Sequence, residues 1–126
     1  MKILDDRRYS KDHEWVVFSG STARVGITDY AQDALGDVVF VQLPKVGDKF
    51  VTGATCCEVE STKSVSDIYA PISGAIARAN ERLLTQPGLM NSDPYGEGWL
   101  FELSIDSSEV NEQLLDFQQY RLLIEG

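Results

Sequence analysis

A single lysine, Lys63, lies at the centre of the segment CEVESTKSVSDIYAPISG, with acidic residues on both sides of it. The runs before and after Ser-Thr-Lys-Ser read as two short strands joined by a tight turn, with the lysine at its tip. Many lysines in such turns only solubilise a strand edge. A Schiff-base nucleophile needs an ammonium destabilised by burial or by a nearby cation, whereas Glu58, Glu60 and Asp67 would stabilise the charged form. The pattern therefore favours an attachment point, acylated by a dedicated enzyme.

The rest of the chain offers little catalytic or metal-binding chemistry. His13 is the one histidine in the sequence; if its segment is a strand, Asp12 and Glu14 face one side and His13 the other. We expect His13 to be structural. Without a second histidine, the sequence predicts no metal site and no catalytic Ser-His-Asp or Cys-His arrangement.

Two adjacent cysteines, Cys56 and Cys57, are predicted to be reduced thiols in a strand of a cytosolic protein, because neighbours rarely satisfy disulfide geometry. The N-terminal MKILDDRRYS lacks the apolar run of a signal peptide, and its aspartates argue against a transit peptide. No apolar stretch approaches the length of a membrane span. We expect a cytoplasmic protein with no membrane segment.

The charge balance restricts the class of partner. With 11 basic and 20 acidic residues, the net charge is -9. Such a surface repels nucleic acid and anionic lipid, and it favours proteins with positive docking faces. The length of 126 residues predicts one domain, 1–126.

The strands expected along the chain are short. HEWVVFSGSTARVGI predicts a hairpin, DVVFVQL a strand, and the stretch between Gly47 and Gly53 a shorter one. A further strand follows the turn from Pro71 to Gly74, TQPGLMNSDPYGEG is the longest loop, with a turn at Asp93-Pro94, and WLFELSI is the last strand. Many short strands covered by a few helices indicate a mainly β barrel or sandwich.

Two helices are expected. TDYAQDALG predicts a short helix near 28–35, with Thr28 as its N-cap and Gly36 beyond its end. SSEVNEQLLDFQQYRLLIEG predicts a C-terminal helix, capped by Ser107 or Ser108. The apolar residues expected along one face of it are Val110, Leu114, Phe117 and Leu122.

The spacing around the lysine adds specificity. Gly47 lies sixteen residues before Lys63, Glu60 lies three before it, and Gly74 lies eleven after it. This spacing resembles that of lipoyl-carrier domains, in which the modified lysine is at the tip of a hairpin. Biotin carriers flank their lysine with methionines, whereas this chain has Thr62 and Ser64.

Longer blocks carry a closer resemblance. YSKDHEWV, VGITDYAQDALGDVVFVQLPKVG, EVESTKSVSDIYAPISG and LMNSDPYGEGWL resemble successive blocks of the H protein of the glycine cleavage system. The likeness runs from about Tyr9 to Leu103 and continues in a similar C-terminal helix. Cys56-Cys57 departs from the usual signature, and the last helix is only loosely patterned.

The resemblance implies a fold and a role. The fold is a mainly β barrel-sandwich hybrid, with two antiparallel sheets, an N-terminal hairpin, a short helix near 28–35 and a C-terminal helix. Family members are carriers without catalytic activity, and their lipoate is attached as N6-lipoyllysine, here at Lys63. The arm accepts an aminomethyl group from a pyridoxal-phosphate glycine decarboxylase, presents it to a tetrahydrofolate-dependent aminomethyltransferase, and is reoxidised by dihydrolipoamide dehydrogenase.

Supporting roles follow for five other residues. We expect Glu60, Gly47 and Gly74 to serve recognition by the lipoate-attaching enzyme or docking. A cationic end group on the arm would favour a carboxylate partner, and Glu14 and Asp67 are the candidates. Two alternatives stay open: a lipoyl relay or dedicated carrier that donates lipoate to another system, and an unmodified acidic adaptor of the same fold.

Overall fold

The computed structural model describes residues 1–106 and 114–126. Strands and short helices alternate along the described chain. The strands are β1 Arg8–Tyr9, β2 Glu14–Ser19, β3 Thr22–Ile27, β4 Val38–Gln42, β5 Lys49–Phe50, β6 Thr55–Ser61, β7 Val65–Tyr69, β8 Gly74–Ala79 and β9 Phe101–Ser104. The helices are α1 Asp29–Leu35, α2 Arg82–Thr85, α3 Leu89–Ser92 and α4 Phe117–Glu125.

Two antiparallel sheets form the fold. The first has six strands in the order β1-β2-β3-β9-β8-β5, and the second has three in the order β4-β6-β7. Neither sheet closes on itself. The predicted fold class, mainly β with two antiparallel sheets, an N-terminal hairpin and a C-terminal helix, is confirmed.

The main core is shared by the two sheets. Its fully buried members include Val25 and Leu103 from the first sheet and Val41 and Val59 from the second. Burying one such side chain stabilises the fold by about 1.5–3 kcal/mol. Because Val41 and Val59 are cross-strand neighbours, the residues on either side of them in β4 and β6 turn towards solvent.

Two β-bulges interrupt the three-stranded sheet. One lies in β4 between Val38 and Phe40, and the other in β6 between Thr55 and Cys57. A bulge sets two residues of one strand against one residue of its partner. Cys56 is the extra residue of the second bulge, and both predicted strand cysteines are buried and free of disulfides.

A second, aromatic cluster holds α4 against the first sheet. It contains Tyr9, Trp15, Trp99 and Tyr120. The rings of Tyr9 and Tyr120 stack with centroids 4.6 Å apart. The backbones of Tyr9 and Leu115 exchange two hydrogen bonds, of 2.9 and 2.7 Å.

The last helix differs from the prediction at residues 114–116, which are not helical, and at Leu122, which is not on the buried face. The helix begins at Phe117, because Leu115 pairs with β1 and Asp116 forms a capping box with Gln119. Tyr120 is its buried residue, whereas Leu122 is 71% exposed. The predicted caps Ser107 and Ser108, and also Val110, lie outside the described residues.

Two other local predictions need correction. Asp12 and His13 lie in a turn before β2, and the φ of His13 is 69°. Asp12 and Glu14 therefore do not share one face of a strand: Asp12 is exposed and Glu14 is buried. The long loop contains α3, although the turn at Asp93 is present, with Gly96 N–H donating to the Asp93 carbonyl at 3.1 Å. The helix near 28–35 is confirmed as α1, capped by Thr28.

Within residues 1–106 and 114–126, the structure contains no helix with the length and apolar character that crossing a membrane requires.

Candidate functional site

The β6–β7 hairpin carries Lys63 at its tip, as the sequence predicts. Glu60 pairs with Val65, and the turn between these two residues is closed by a 2.8 Å hydrogen bond from Ser61 N–H to the Ser64 carbonyl. The hydroxyl oxygen of Ser61 accepts hydrogen bonds of 3.1 Å from the backbone N–H groups of both Lys63 and Ser64. The tip is therefore an ordered turn with an exposed lysine.

Ser61 and Asp37 support this turn, and the sequence reasoning did not select them. Ser61 uses its side chain to close the turn. Serine hydroxyls often bond nearby backbone groups in turns, so this role was predictable from the position of Ser61 at the start of STKS. Asp37 contributes its carbonyl, which accepts a 3.0 Å hydrogen bond from Thr62 N–H. That second contact joins residues 25 positions apart and carries no local signal.

Acidic side chains flank the hairpin without contacting the lysine as ion pairs. Glu58 and Asp67 are cross-strand neighbours, and both are exposed, as is Glu60. None of the ion pairs between described residues includes Lys63. The carboxylates therefore give the surface around the lysine a negative potential while its amine stays available.

An exposed apolar pair borders Glu60. The register sets Phe40, Glu60 and Val65 in one row across the sheet, and Phe40 and Val65 are 50% and 58% exposed. Directly opposed residues share a face of the sheet. The outer face next to Lys63 thus combines apolar area with negative charge.

The two predicted glycines lie at the six-stranded sheet, Gly74 in β8 and Gly47 in the turn before β5. Gly74 pairs with Phe50, and Gly47 N–H donates to the Ile76 carbonyl at 2.8 Å, so both glycines lie where β5 meets β8. Gly47 has a φ of 95°, and a Cβ on Gly74 would come within 2.5 Å of the Ser104 carbonyl oxygen. The structure brings these glycines together with each other and separates them from the lysine hairpin.

Glu14 is a buried carboxyl group beside β7. It is 1% exposed, accepts a 2.7 Å hydrogen bond from the Ser10 hydroxyl and accepts one of 3.0 Å from Tyr69 N–H. Burial raises the pKa of Glu14 to about 7, against the opposing effect of these two donors. Burial therefore favours the protonated form of this group.

Asp67 lies two residues before Tyr69 on the same strand and is exposed. The pKa of the Cys57 thiol is raised by its hydrogen bond with Cys56, by burial, and by the negative charges of Glu14 and Asp67. At about 3.4 Å per residue, β7 carries the chain about 14 Å from Val65, beside the tip, to Tyr69, where Glu14 binds.

A surface cleft of about 330 Å³ opens beside Glu14. Its walls include Ser10, Ala70, Pro71 and Leu114, whereas Lys63 and Asp67 lie outside it. The cleft gives the buried carboxyl group a route to solvent.

The side chain of His13 is held in place by a hydrogen bond and by packing against an aromatic ring. Its Nδ1 shares a 2.8 Å hydrogen bond with the Tyr120 hydroxyl, which also bonds the Thr28 hydroxyl at 2.7 Å. Its ring lies 4.7 Å from that of Tyr30. In the part of the chain that the structure describes, no group of three or more His, Cys, Asp or Glu side chains could hold a metal ion.

Comparisons with known proteins agree with this architecture. The model of the glycine cleavage H-protein family matches residues 7–126. A glycine cleavage system H protein of Mycobacterium tuberculosis is 56% identical, with 94% of each chain covered, and that of Beutenbergia cavernae is 49% identical over 100% of this chain and 99% of its own. The crystal structure of a glycine cleavage system H protein from Mycobacterium marinum superposes with a TM-score of 0.88 at 44% identity, covering 98% of this chain and 100% of that one. Both the sequence and the arrangement of the two sheets therefore place this chain in the glycine cleavage H-protein family.

Proposed function

We propose that this chain is the lipoyl-carrying shuttle of a glycine cleavage system, a single domain over 1–126 without catalytic activity of its own. The observation that carries the proposal is the exposed Lys63 at the tip of an ordered hairpin in a member of this family. Lipoate would be held there as an amide on Nζ. When attached, it would supply a disulfide that is reduced as it takes up an aminomethyl group, and the dithiol left after transfer of that group would be reoxidised.

The hairpin fits an acylated lysine. The turn is closed by Ser61 and by backbone groups, and the side chain of Lys63 makes no hydrogen bond to residues 1–106 or 114–126 that modification would break. Acylation removes the positive charge of the amine. No ion pair between described residues is lost when that charge disappears.

The outer face of the three-stranded sheet would meet the partner enzymes. Glu60, between Phe40 and Val65, offers a carboxylate inside an apolar border, which suits a partner with basic and apolar side chains. We propose that Glu60 is read directly by the lipoate-attaching enzyme or in docking. Gly74 would act indirectly, by letting β8 and β9 approach closely, and Gly47 would act by adopting the positive φ of the turn before β5.

The partners follow from the glycine cleavage role. We propose a pyridoxal-phosphate glycine decarboxylase, an aminomethyltransferase and dihydrolipoamide dehydrogenase, each visited in turn by the same lysine. Tethering the reacting group to a carrier raises its local concentration at each enzyme.

Glu14 and Asp67 are proposed to shelter the end of the arm. Asp67 is exposed along the strand that descends from the tip, and Glu14 is buried further down in the wall of a cleft. A cationic end group near Glu14 would favour its ionised form, because a neighbouring positive charge lowers a carboxyl pKa. The arm would then be held where water has restricted access.

The direct test is an intact-mass measurement on protein purified from its native source, followed by peptide mapping. We expect a mass increase of one lipoyl group, located on Lys63, and no modification of Lys45 or Lys49. Reconstitution with the three enzymes should give glycine-dependent release of CO₂ that requires the lipoylated chain. Native protein that is entirely unmodified would favour the unmodified adaptor and contradict the proposal.

A further inference from the structure

The side chain of Lys63 lies across Gly36, the residue that ends α1. A Cβ built on Gly36 would be 2.6 Å from Cε of Lys63, 3.6 Å from its Nζ and 3.7 Å from its Cδ. These distances place the aliphatic stem of the lysine directly against the glycine. Any side chain at position 36 would occupy the space that the lysine uses.

The backbone at Gly36 has a conformation that glycine adopts and other residues avoid. Its φ is 85° and its ψ is -167°, a region that is essentially restricted to glycine. Gly36 therefore meets two separate demands: the turn out of α1 and the passage of the lysine stem.

The same corner also binds the hairpin backbone. The Asp37 carbonyl, next to Gly36, accepts the hydrogen bond from Thr62 N–H. Thr62, the residue before Lys63, is thus hydrogen-bonded to Asp37, the residue after Gly36. Backbone and side chain of the tip are held at one place.

Asn91 of α3 anchors the corner from the other side. Its Nδ2 donates to the Gly36 carbonyl at 2.9 Å and to Oε1 of Gln32 at 3.1 Å, while its Oδ1 accepts from Val38 N–H at 2.9 Å. Three hydrogen bonds from one side chain fix the corner independently of the hairpin. The surface on which the lysine rests is therefore rigid.

We propose that Gly36 is a positioning residue for Lys63. Its missing side chain lets the lysine stem lie on the corner held by Asn91, which limits the directions in which Nζ points. This inference rests on the proposed lipoylation of Lys63 and adds a requirement that lies outside the hairpin. A lysine stem held in few rotamers loses less entropy when the lipoate-attaching enzyme takes it.

A substitution at Gly36 should affect presentation of the amine and should also strain the backbone, because its φ and ψ suit glycine alone. The nearest atom is close to the end of a flexible side chain, so the contact itself costs little stability once the lysine moves aside, and the backbone strain is recorded separately by thermal unfolding. The substitution would change the direction in which Nζ of Lys63 points. Misplacing a reacting group by about 1 Å can reduce a rate by about 100-fold.

The experiment compares Gly36→Ala with Gly20→Ala in the full unmodified chain. Gly20 also has a positive φ, 60°, but no atom lies within 4 Å of its Cβ position. It is therefore a control for adding a methyl group to a left-handed glycine. Lipoate attachment is followed with a lipoate–protein ligase, lipoate and ATP, and thermal unfolding of both variants is recorded.

We expect Gly36→Ala to lower kcat for attachment by about 10- to 100-fold with a smaller change in KM, because the docking face is unchanged. Gly20→Ala should stay within about threefold of wild type. In the wild-type protein, NMR should show nuclear Overhauser effects between the Gly36 Hα protons and the Lys63 Hε protons, a readout that needs no variant to fold.

Equal attachment rates for the two variants, or absence of those nuclear Overhauser effects in wild type, would overturn the positioning role while leaving Lys63 as the lipoylation site. If wild-type protein is not lipoylated at all, the proposed function itself fails, and the positioning role fails with it.

Discussion

The carboxylate of Glu14 joins the two sheets: its Oε2 accepts a 3.0 Å hydrogen bond from the backbone N–H of Tyr69. Glu14 begins β2 of the six-stranded sheet, and Tyr69 ends β7 of the three-stranded sheet. A buried carboxyl group thus connects the strand that descends from Lys63 to the rest of the fold. Its protonation state bears on stability as well as on function.

The titration of Glu14 should therefore lower stability as pH rises, against the opposite contribution of His13, whose pKa is lowered by burial. The pKa of Glu14 is about 7 in the folded protein against an ordinary value of 4.5, so the folded state binds the proton more tightly than the unfolded state. Between these two pH values the free energy of unfolding should fall by about 3 kcal/mol from this group. Urea unfolding from pH 4.5 to pH 8 measures it.

The Glu14→Gln variant should lack this slope, because the amide does not titrate. Asp12→Asn is the matched control, since Asp12 is an exposed carboxylate two residues away, and it should keep the slope. An equal pH dependence in wild type and Glu14→Gln would show that another group is responsible.

Lys63→Ala should fold normally and lose all lipoate attachment. Lys63 is an exposed turn residue, so we expect a change in stability within about 0.5 kcal/mol. Attachment is measured by intact mass after incubation with ligase, lipoate and ATP. Lys49→Ala, which removes an exposed lysine from β5, should be modified like wild type; lipoate on Lys45 or Lys49 would refute the assignment.

Docking should weaken with salt and with loss of the Glu60 charge. The net charge is -9, and the Debye length falls from about 10 Å at 0.1 M to about 3 Å at 1 M ionic strength. We expect kcat/KM for lipoate attachment to decrease over this range, and Glu60→Gln to lower it further at 0.1 M.

Glu125→Gln removes the same charge from the C-terminal helix and should leave attachment near the wild-type rate. For lipoylated Glu60→Gln, the redox chemistry of the arm should match wild type. A rate that is flat from 0.1 to 1 M would contradict electrostatic steering.

Neutralising both shelter carboxylates should expose the arm. In the double variant Glu14→Gln with Asp67→Asn, the isolated loaded carrier should lose its aminomethyl group faster than wild type at matched pH, since no carboxylate holds the cationic end. Release of formaldehyde and ammonia measures the loss. Glu58→Gln, opposite Asp67 on the same face, is the control; decay no faster than wild type would remove Glu14 and Asp67 from this role.

Packing of the C-terminal helix should stabilise the fold through Tyr120 and not through Leu122. Tyr120→Ala removes a fully buried ring stacked on Tyr9 and should cost about 3–5 kcal/mol. Leu122→Ala, on the exposed side of the same helix, should stay within about 0.5 kcal/mol. Chemical denaturation separates the two, and equal losses would contradict the observed face.

Local patterns predicted the hairpin well. The residues around Val59 alternate in polarity, and a four-residue polar turn holds Lys63, so strand, turn and strand are readable from nearest neighbours. The cap of α1 at Thr28 was predictable for the same reason.

Contacts between distant segments account for what was missed. The last helix starts at Phe117 because Leu115 pairs with Tyr9, and nothing near Leu115 in sequence indicates a partner more than one hundred residues away. Likewise, Gly36 reads as an ordinary end of a helix, and its contact with Lys63 depends on how the two segments meet in space.

The two bulges of the three-stranded sheet fix the register of the strands that form the hairpin. The central strand β6 meets one irregular partner position at Val38–Phe40 and carries its own at Cys56. Sliding β6 by one residue would misalign both bulges and turn Glu58 and Glu60 into the core. Slippage that would move Lys63 off the apex is therefore blocked at both ends of the strand, and the lysine keeps a constant height above the sheet.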